Sequence, residues 1–289
     1  MTRHLADTAH ARRDFWLCLA RAFAPPAGGD YHAAFAEDLP ADLDAIAGEI
    51  GLELGAQIAA FRDAAARAGD SEALQKLYAG LFLTPPAPVM INAGYYIDGG
   101  LMGATEKALN AWYGHHGFAR HEHFRDLSDT VAVQCEFLSL LYDKAGAAAE
   151  ADEDLEAMAY VGEAERFIDA YPRHWVTPML RELERAVERR DLNPAYAHLL
   201  RVLWLAVEDV VAHSGTRIEK AGSADLPRGS SRGMGALTAE DLAEIAFRLE
   251  RDGLAWDHVA ALDGWDDAVF ARRRAEADTP IGKARAALD

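Results

Sequence analysis

The chain has 289 residues, of which 51% are hydrophobic, and this supplies enough apolar side chains for a buried core. A formal net charge of -18 repels nucleic acid and anionic membranes, which argues against both as partners and favours cationic ones. The two cysteines, Cys18 and Cys135, lie too far apart in sequence for a metal-binding or redox pair, which indicates a reducing compartment.

The first apolar stretch, ARRDFWLCLARAFAPP, has the outline of a twin-arginine export signal. However, Arg21 interrupts the apolar run, and Phe15, Leu19 and Phe23 recur at helical spacing. We therefore expect an amphipathic first helix whose arginines face water, in a cytoplasmic protein. No stretch of the sequence approaches the roughly eighteen uncharged residues that a membrane-spanning helix requires.

Helical periodicity runs through nearly the whole chain, and no stretch alternates convincingly as a strand does, so the sequence predicts an all-α fold. Residues 1–212 are expected to form a single helical-bundle domain. Residues 213–237, rich in Gly, Ser and Arg, are expected to form a flexible linker or loop, followed by a C-terminal helical extension over 238–289. The predicted helices of the first domain, after the amphipathic one, are 31–38, 41–68, 71–82, 104–115, 127–145, 152–170, 174–190 and 194–213.

Acidic and apolar residues share one face of the predicted helix 127–145. With Asp126 as the N-cap, Asp129 would lie at the third helical position, where its carboxylate could bind free backbone amides. Spacing alone does not distinguish this capping role from a binding role. The residues close to this face are Asp126, Asp129, Glu136 and Asp143, with Val133 and Leu140 between them.

Two further stretches each allow a functional and a structural interpretation. The run HHGFARHEH places several histidines close together; a metal-dependent all-α enzyme could use His115, His121 and His123 as ligands and Glu122 as base, although surface histidines are the simpler interpretation. The run LYAGLFLTPPAPVMINAGYYIDGGLMG is a long apolar loop broken by Pro and Gly. Such a loop is either a binding element or a buried structural loop.

The order of these stretches resembles the TorD/DmsD family of redox-enzyme maturation chaperones. The similar stretches are RRDFWLCLARAF, LYAGLFLTPP, GYYIDGGLMGATEKALNAWYGHHGF, LSDTVAVQCEFLSLL, ERFIDAYPRHWVTPMLRELERA and PAYAHLLRVLWLAVEDV. The fourth of these looks like the family's Pro-Asp-His segment followed by a Glu-Leu-Glu-Phe-Met-like helix. Here that segment is Ser128-Asp129-Thr130, so only the role of the aspartate is carried over.

The resemblance implies a cytoplasmic, non-enzymatic chaperone without a cofactor of its own. Its partner would be the catalytic subunit of a molybdopterin-dependent oxidoreductase, bound through its twin-arginine signal peptide and as the apo-protein, before cofactor insertion and export. An alternative client is a non-exported, nitrate-reductase-like subunit. The chaperone could be a monomer or a domain-swapped dimer.

The resemblance also implies a peptide-binding site between the apolar loop and the start of helix 127–145. We expect Asp129 to bind the arginines of the signal peptide in the manner of carboxylate–guanidinium pairs, with Glu136 as a weaker candidate. The apolar part of the peptide would contact Leu81, Phe82, Tyr95 and Met102.

Overall fold

The computed structural model describes residues 2–26, 31–119 and 126–223. This part of the chain is helical, with no strand in it beyond a single isolated bridge, and the predicted all-α fold is confirmed. Short π-helical turns occupy Ala34–Asp38 and Ala79–Leu83. The α-helices are α1 (Thr2–Phe23), α2 (Tyr31–Ala33), α3 (Leu39–Ile50), α4 (Gly55–Ala66), α5 (Ser71–Tyr78), α6 (Ala93–Asp98), α7 (Ala104–His115), α8 (Val131–Glu150), α9 (Asp154–Ala170), α10 (Pro172–Arg190) and α11 (Ala195–Ser223).

Helices α1 and α8 pack antiparallel to each other. The residue order of their contacts shows this direction: His10 bonds Glu150, and Arg13 bonds Asp143. The apolar face predicted for α1 is buried: Phe15, Leu19 and Phe23 are at most 1% exposed. Arg21 is exposed as predicted, whereas Arg13 is half-buried and paired with Asp14 and Asp143. The packing of α1 on α8 therefore combines an apolar core with an ionic edge.

Several helix ends differ from those that the sequence predicts. The predicted helix 41–68 is two helices, because Gly51 ends α3 in the left-handed region at φ 74°. Helix α8 begins at Val131 rather than at residue 127, since Thr130 is its N-cap and its Oγ1 accepts the amide of Val133. Helix α6 lies inside the stretch that we expected to be a loop.

Helix α11 supplies much of the core and runs further than predicted. It follows Asn193, whose Oδ1 accepts the amide of Ala195 at 2.9 Å, and it continues to Ser223, ten residues past its predicted end at 213. The chain divides into two compact units, Met1–Lys220 and Ala221–Asp289. The rest of the predicted linker and the C-terminal extension lie outside the described residues. None of the helices in the part described here is long and apolar enough to cross a membrane.

Candidate functional site

The loop before α6 and the start of α8 are joined by a short backbone bridge, as the predicted site requires. Asn92 and Thr130 form an isolated antiparallel bridge. The amide of Val131 donates to Ile91 O at 3.1 Å, and the amide of Ala93 donates to Asp129 O at 2.9 Å. Two segments far apart in sequence are therefore fixed against each other at one point.

The carboxylate of Asp129 lies inside this junction and is 0% exposed. Its Oδ1 accepts Asn92 Nδ2 at 2.7 Å, and its Oδ2 accepts the amide of Gly94 at 2.9 Å. A Cβ on Gly94 would lie 2.8 Å from Oδ2, so glycine is what allows the backbone to approach this closely. The placement of Asp129 at the third position of a helix was wrong: it precedes α8, and Thr130 is the cap.

The junction continues into the core through the backbone of Asp129. Its carbonyl oxygen accepts Gln134 Nε2 at 2.9 Å, and Gln134 Oε1 accepts Trp175 Nε1 at 2.9 Å. Tyr113 donates its hydroxyl to Ser128 O at 3.1 Å. Burial, and secondarily the charge of Asp129, raises the pKa of Tyr113 well above its ordinary value, so this hydroxyl remains a donor. The Asp129 region is thus a buried hydrogen-bond network.

The predicted face of acids on one helix does not form. Asp126 lies before α8 and binds the amide of Leu127, and Asp129 is the buried residue described above. Only Glu136 and Asp143 lie on α8, and Asp143 is paired with Arg13 at 3.2 Å. Glu136 is exposed and forms no ion pair within the described ranges.

The apolar residues that we predicted to contact the peptide are divided by the structure into two groups. Leu81 and Phe82 are 0% and 5% exposed; the ring of Phe82 packs against Tyr78 at 5.1 Å and Tyr196 at 5.5 Å. Tyr95 and Met102 are 39% and 71% exposed. Only the second pair is placed where a bound chain could touch it without rearrangement of the core.

Residues 83–102, which we call the exposed apolar segment, present an unusual amount of apolar side chain to solvent. Over the described residues, seven large apolar side chains are exposed, and five of them belong to this segment. Sequence reasoning missed three of the five, although it had identified the loop as apolar. The five are Leu83, Tyr95, Ile97, Leu101 and Met102.

The exposed apolar segment is fixed at its sides by polar contacts. Tyr96 donates its hydroxyl to Glu182 Oε2 of α10 at 2.6 Å. Asp98 accepts the amide of Thr105 at 2.9 Å and its hydroxyl at 2.8 Å. Burial and the contact with Glu182 raise the pKa of Tyr96, so its hydroxyl remains protonated. The segment is therefore anchored to α7 and α10 while its apolar side chains stay in solvent.

The histidine cluster is only partly described. His116 is 8% exposed, its ring stacks near Trp112, and its Nε2 lies 3.9 Å from Glu163 Oε2. His121, His123 and Glu122 lie outside the described residues. Within the described ranges, no group of three or more His, Cys, Asp or Glu side chains could hold a metal ion.

A comparison with models of protein families finds a match over part of the chain. Residues 47–181, slightly less than half of the chain, match the family model described as the nitrate reductase delta subunit. The match confirms the resemblance to the TorD-like redox-enzyme maturation family that the sequence predicts. These residues are therefore similar to the redox-enzyme maturation family.

Among solved structures, the chain is similar to a candidate redox enzyme maturation protein from Archaeoglobus fulgidus. The identity is 23%, the alignment covers 54% of this chain and 90% of that chain, and the TM-score is 0.29. A comparison with curated proteins finds no match.

Proposed function

We propose that this protein is a cytoplasmic, non-enzymatic chaperone that binds the catalytic subunit of a molybdopterin-dependent oxidoreductase before export. It recognises the twin-arginine signal peptide and the apo-protein, and it holds them during cofactor insertion without a cofactor of its own. The observation that carries this proposal is the exposed apolar segment, residues 83–102. Its five exposed apolar side chains are what an apolar peptide needs as a contact surface.

The charge of the protein fits the same client. A twin-arginine signal peptide carries two adjacent guanidinium groups followed by an apolar stretch. A chain with a formal net charge of -18 attracts the cationic part over a distance, while the exposed apolar segment covers the apolar part. Binding should consequently weaken as salt is added, because salt screens the attraction between charges.

The chain offers a matched pair of variants that tests this site. Leu101 and Met102 are exposed in the segment, and Leu155 and Met158 are exposed on α9. We expect Leu101→Ser with Met102→Ser to weaken binding of a synthetic signal peptide by at least about tenfold, because burying one such side chain contributes about 1.5–3 kcal/mol. Isothermal titration calorimetry measures the affinity.

Leu155→Ser with Met158→Ser is the control, since it removes the same two side-chain types from a different helix. It should leave the affinity within about a factor of two, because it lies outside the proposed contact surface. Equal affinity losses in the two double variants, or none in either, would contradict the assignment of the site to residues 83–102.

A second client is favoured by the family match to the nitrate reductase delta subunit. In that case the bound segment belongs to a non-exported subunit and lacks the twin arginines. The protein should be titrated with two peptides in parallel, one from the N-terminus of such a subunit and one that is a twin-arginine signal peptide. Tighter binding of the peptide without arginines would favour this second client over the exported one.

A further inference from the structure

Glu182 of α10 has an unusual position beside the exposed apolar segment. It is half-buried, and one of its carboxylate oxygens accepts the hydroxyl of Tyr96 at 2.6 Å. No Lys, Arg or His side chain of the described residues forms an ion pair with it. A carboxylate has about four acceptor sites, so Glu182 keeps acceptor capacity and an uncompensated charge after binding Tyr96.

The exposed apolar segment reaches this carboxylate through a pair of tyrosines. The rings of Tyr95 and Tyr96 are 5.2 Å apart in an edge-to-face arrangement, and Tyr96 extends from there to Glu182. Tyr95 is 39% exposed, so part of its ring is open to a ligand. An exposed aromatic ring and a carboxylate are each favourable neighbours for a guanidinium group, and Tyr96 links the two here.

The other described acids in contact with this segment accept a hydrogen bond at each of their two carboxylate oxygens. Asp129 is fully buried and binds Asn92 and Gly94. Both carboxylate oxygens of Asp98 bind Thr105. Of the described acids whose contacts place them at the segment, Glu182 is therefore the one with a carboxylate oxygen that accepts no hydrogen bond.

We infer that Glu182 is the specificity-determining residue that binds the positive charge of the client peptide beside Tyr95. This inference rests on the proposed function, because it assumes that a peptide binds at the exposed apolar segment. It assigns to Glu182 the role that the sequence suggested for Asp129. The bound group is a guanidinium or ammonium, paired with Glu182 and lying against the ring of Tyr95.

Glu182→Gln is the direct test, because glutamine keeps an oxygen that can accept the Tyr96 hydroxyl and removes only the charge. The variant and wild type are titrated with two synthetic peptides, one with the twin arginines and one with both arginines replaced by glutamine. We expect Glu182→Gln to weaken binding of the arginine peptide on the order of 10–100-fold and to leave the glutamine peptide unchanged. Glu188→Gln is the control, since it removes an exposed carboxylate from the same helix and should change either affinity less than about threefold.

The four titrations distinguish failure of this inference from failure of the proposed function. An equal loss for both peptides, or a loss no larger than that of Glu188→Gln, would overturn the role of Glu182 while leaving the apolar site intact. Binding of neither peptide by wild type would remove the proposed function and this inference together. If Glu182→Gln fails to fold, Tyr96→Phe is tested instead. Removal of the Tyr96 hydroxyl frees the Glu182 carboxylate, so selectivity for the arginine peptide should be kept or increased. Loss of that selectivity would overturn the inference.

Discussion

Asp129 is a buried carboxylate held by neutral donors. Asn92 supplies one hydrogen bond and the amide of Gly94 another, and no ion pair to Asp129 is formed by the described residues. Burying a charge without a counter-ion is costly, so these donors and the remainder of the junction have to stabilise it. The same arrangement fixes the loop before α6 onto the start of α8.

Asp129→Asn should therefore reduce the stability of the fold. Asparagine keeps one acceptor oxygen but turns an NH2 group toward either Asn92 Nδ2 or the amide of Gly94, which leaves donors facing each other. We expect the free energy of unfolding to fall by about 1–3 kcal/mol. Urea denaturation followed by circular dichroism measures the loss.

Glu136→Gln is the matched control for this change. Glu136 is exposed on α8, so the same loss of one carboxylate charge should alter the free energy of unfolding by less than about 0.5 kcal/mol. An Asp129→Asn protein that melts like wild type but binds the signal peptide poorly would restore Asp129 as the residue that binds arginine.

At this scale the sequence predicts which two segments meet and misplaces individual side chains. Asp126 and Asp129 both have the spacing of helix caps. In the structure Asp129 is bound by Asn92, which lies 37 residues earlier in the chain, and Thr130 is the N-cap of α8 instead. Leu81, Phe82 and Tyr95 are all large apolar residues of one stretch, so the sequence alone does not distinguish the buried ones from the exposed one. Phe82 is buried in part by packing against Tyr196 of α11, a contact that no local sequence pattern contains.

The end of helix α7 carries a buried imidazole. His116 lies among Trp112 on α7, Phe137 on α8 and Tyr160 on α9, and Lys144 Nζ donates to its backbone oxygen at 2.6 Å. Burial lowers the pKa of His116 below its ordinary value of 6.5. The charge of Glu163 acts in the opposite direction, whereas His115, Lys144 and Arg166 lower the pKa further.

The lowered pKa of His116 should make the stability of the fold sensitive to acid. Because the folded-state pKa is depressed, the unfolded chain takes up a proton near pH 6.5 that the folded chain takes up only at lower pH. The free energy of unfolding should therefore fall as the pH drops below about 6.5. The half-buried ring of His198, whose pKa is also lowered by burial, should act in the same direction. Chemical denaturation at pH values between about 7 and 5 measures the slope.

His116→Gln should make that slope shallower, since the titrating group is gone. His174→Gln, which changes an exposed histidine on α10, should leave the slope unchanged. A slope that is identical in wild type and His116→Gln would show that His116 does not contribute.

The helical elements could be predicted where the sequence contains clear breaks. Helix α7 has the predicted bounds of 104–115, and Asn193 lies before α11 as its predicted cap. Helix α6 was missed because Gly and Pro surround a six-residue helix, which is too short to show periodicity. The extension of α11 to Ser223 was missed because Ser214 and Gly215 are typical helix-ending residues in an isolated sequence.

On the scale of the whole molecule, the buried core of the described residues ends at Val210. A chain that ends after Ser223 keeps this core and all of α11. We expect it to unfold in one cooperative transition within a few degrees of the full-length protein and to bind the same peptide. Differential scanning calorimetry and the peptide titration measure the two properties.

A chain that ends after residue 212, the boundary suggested by the sequence, is the informative comparison. It removes the last turns of α11, so it should melt at a lower temperature than the chain that ends after Ser223. Loss of the cooperative transition in both truncated proteins would contradict the expectation that residues 1–223 fold without the remainder of the chain.

The pairing of α1 with α8 also determines when the protein can fold during its synthesis. His10 and Glu150 are 140 residues apart in the chain, so α1 leaves the ribosome long before its partner does. At about 5–20 residues per second, the nascent chain waits several seconds or longer with Phe15, Trp16 and Phe23 unburied. During that interval the apolar face of α1 has no α8 to pack against, which leaves the nascent chain open to aggregation.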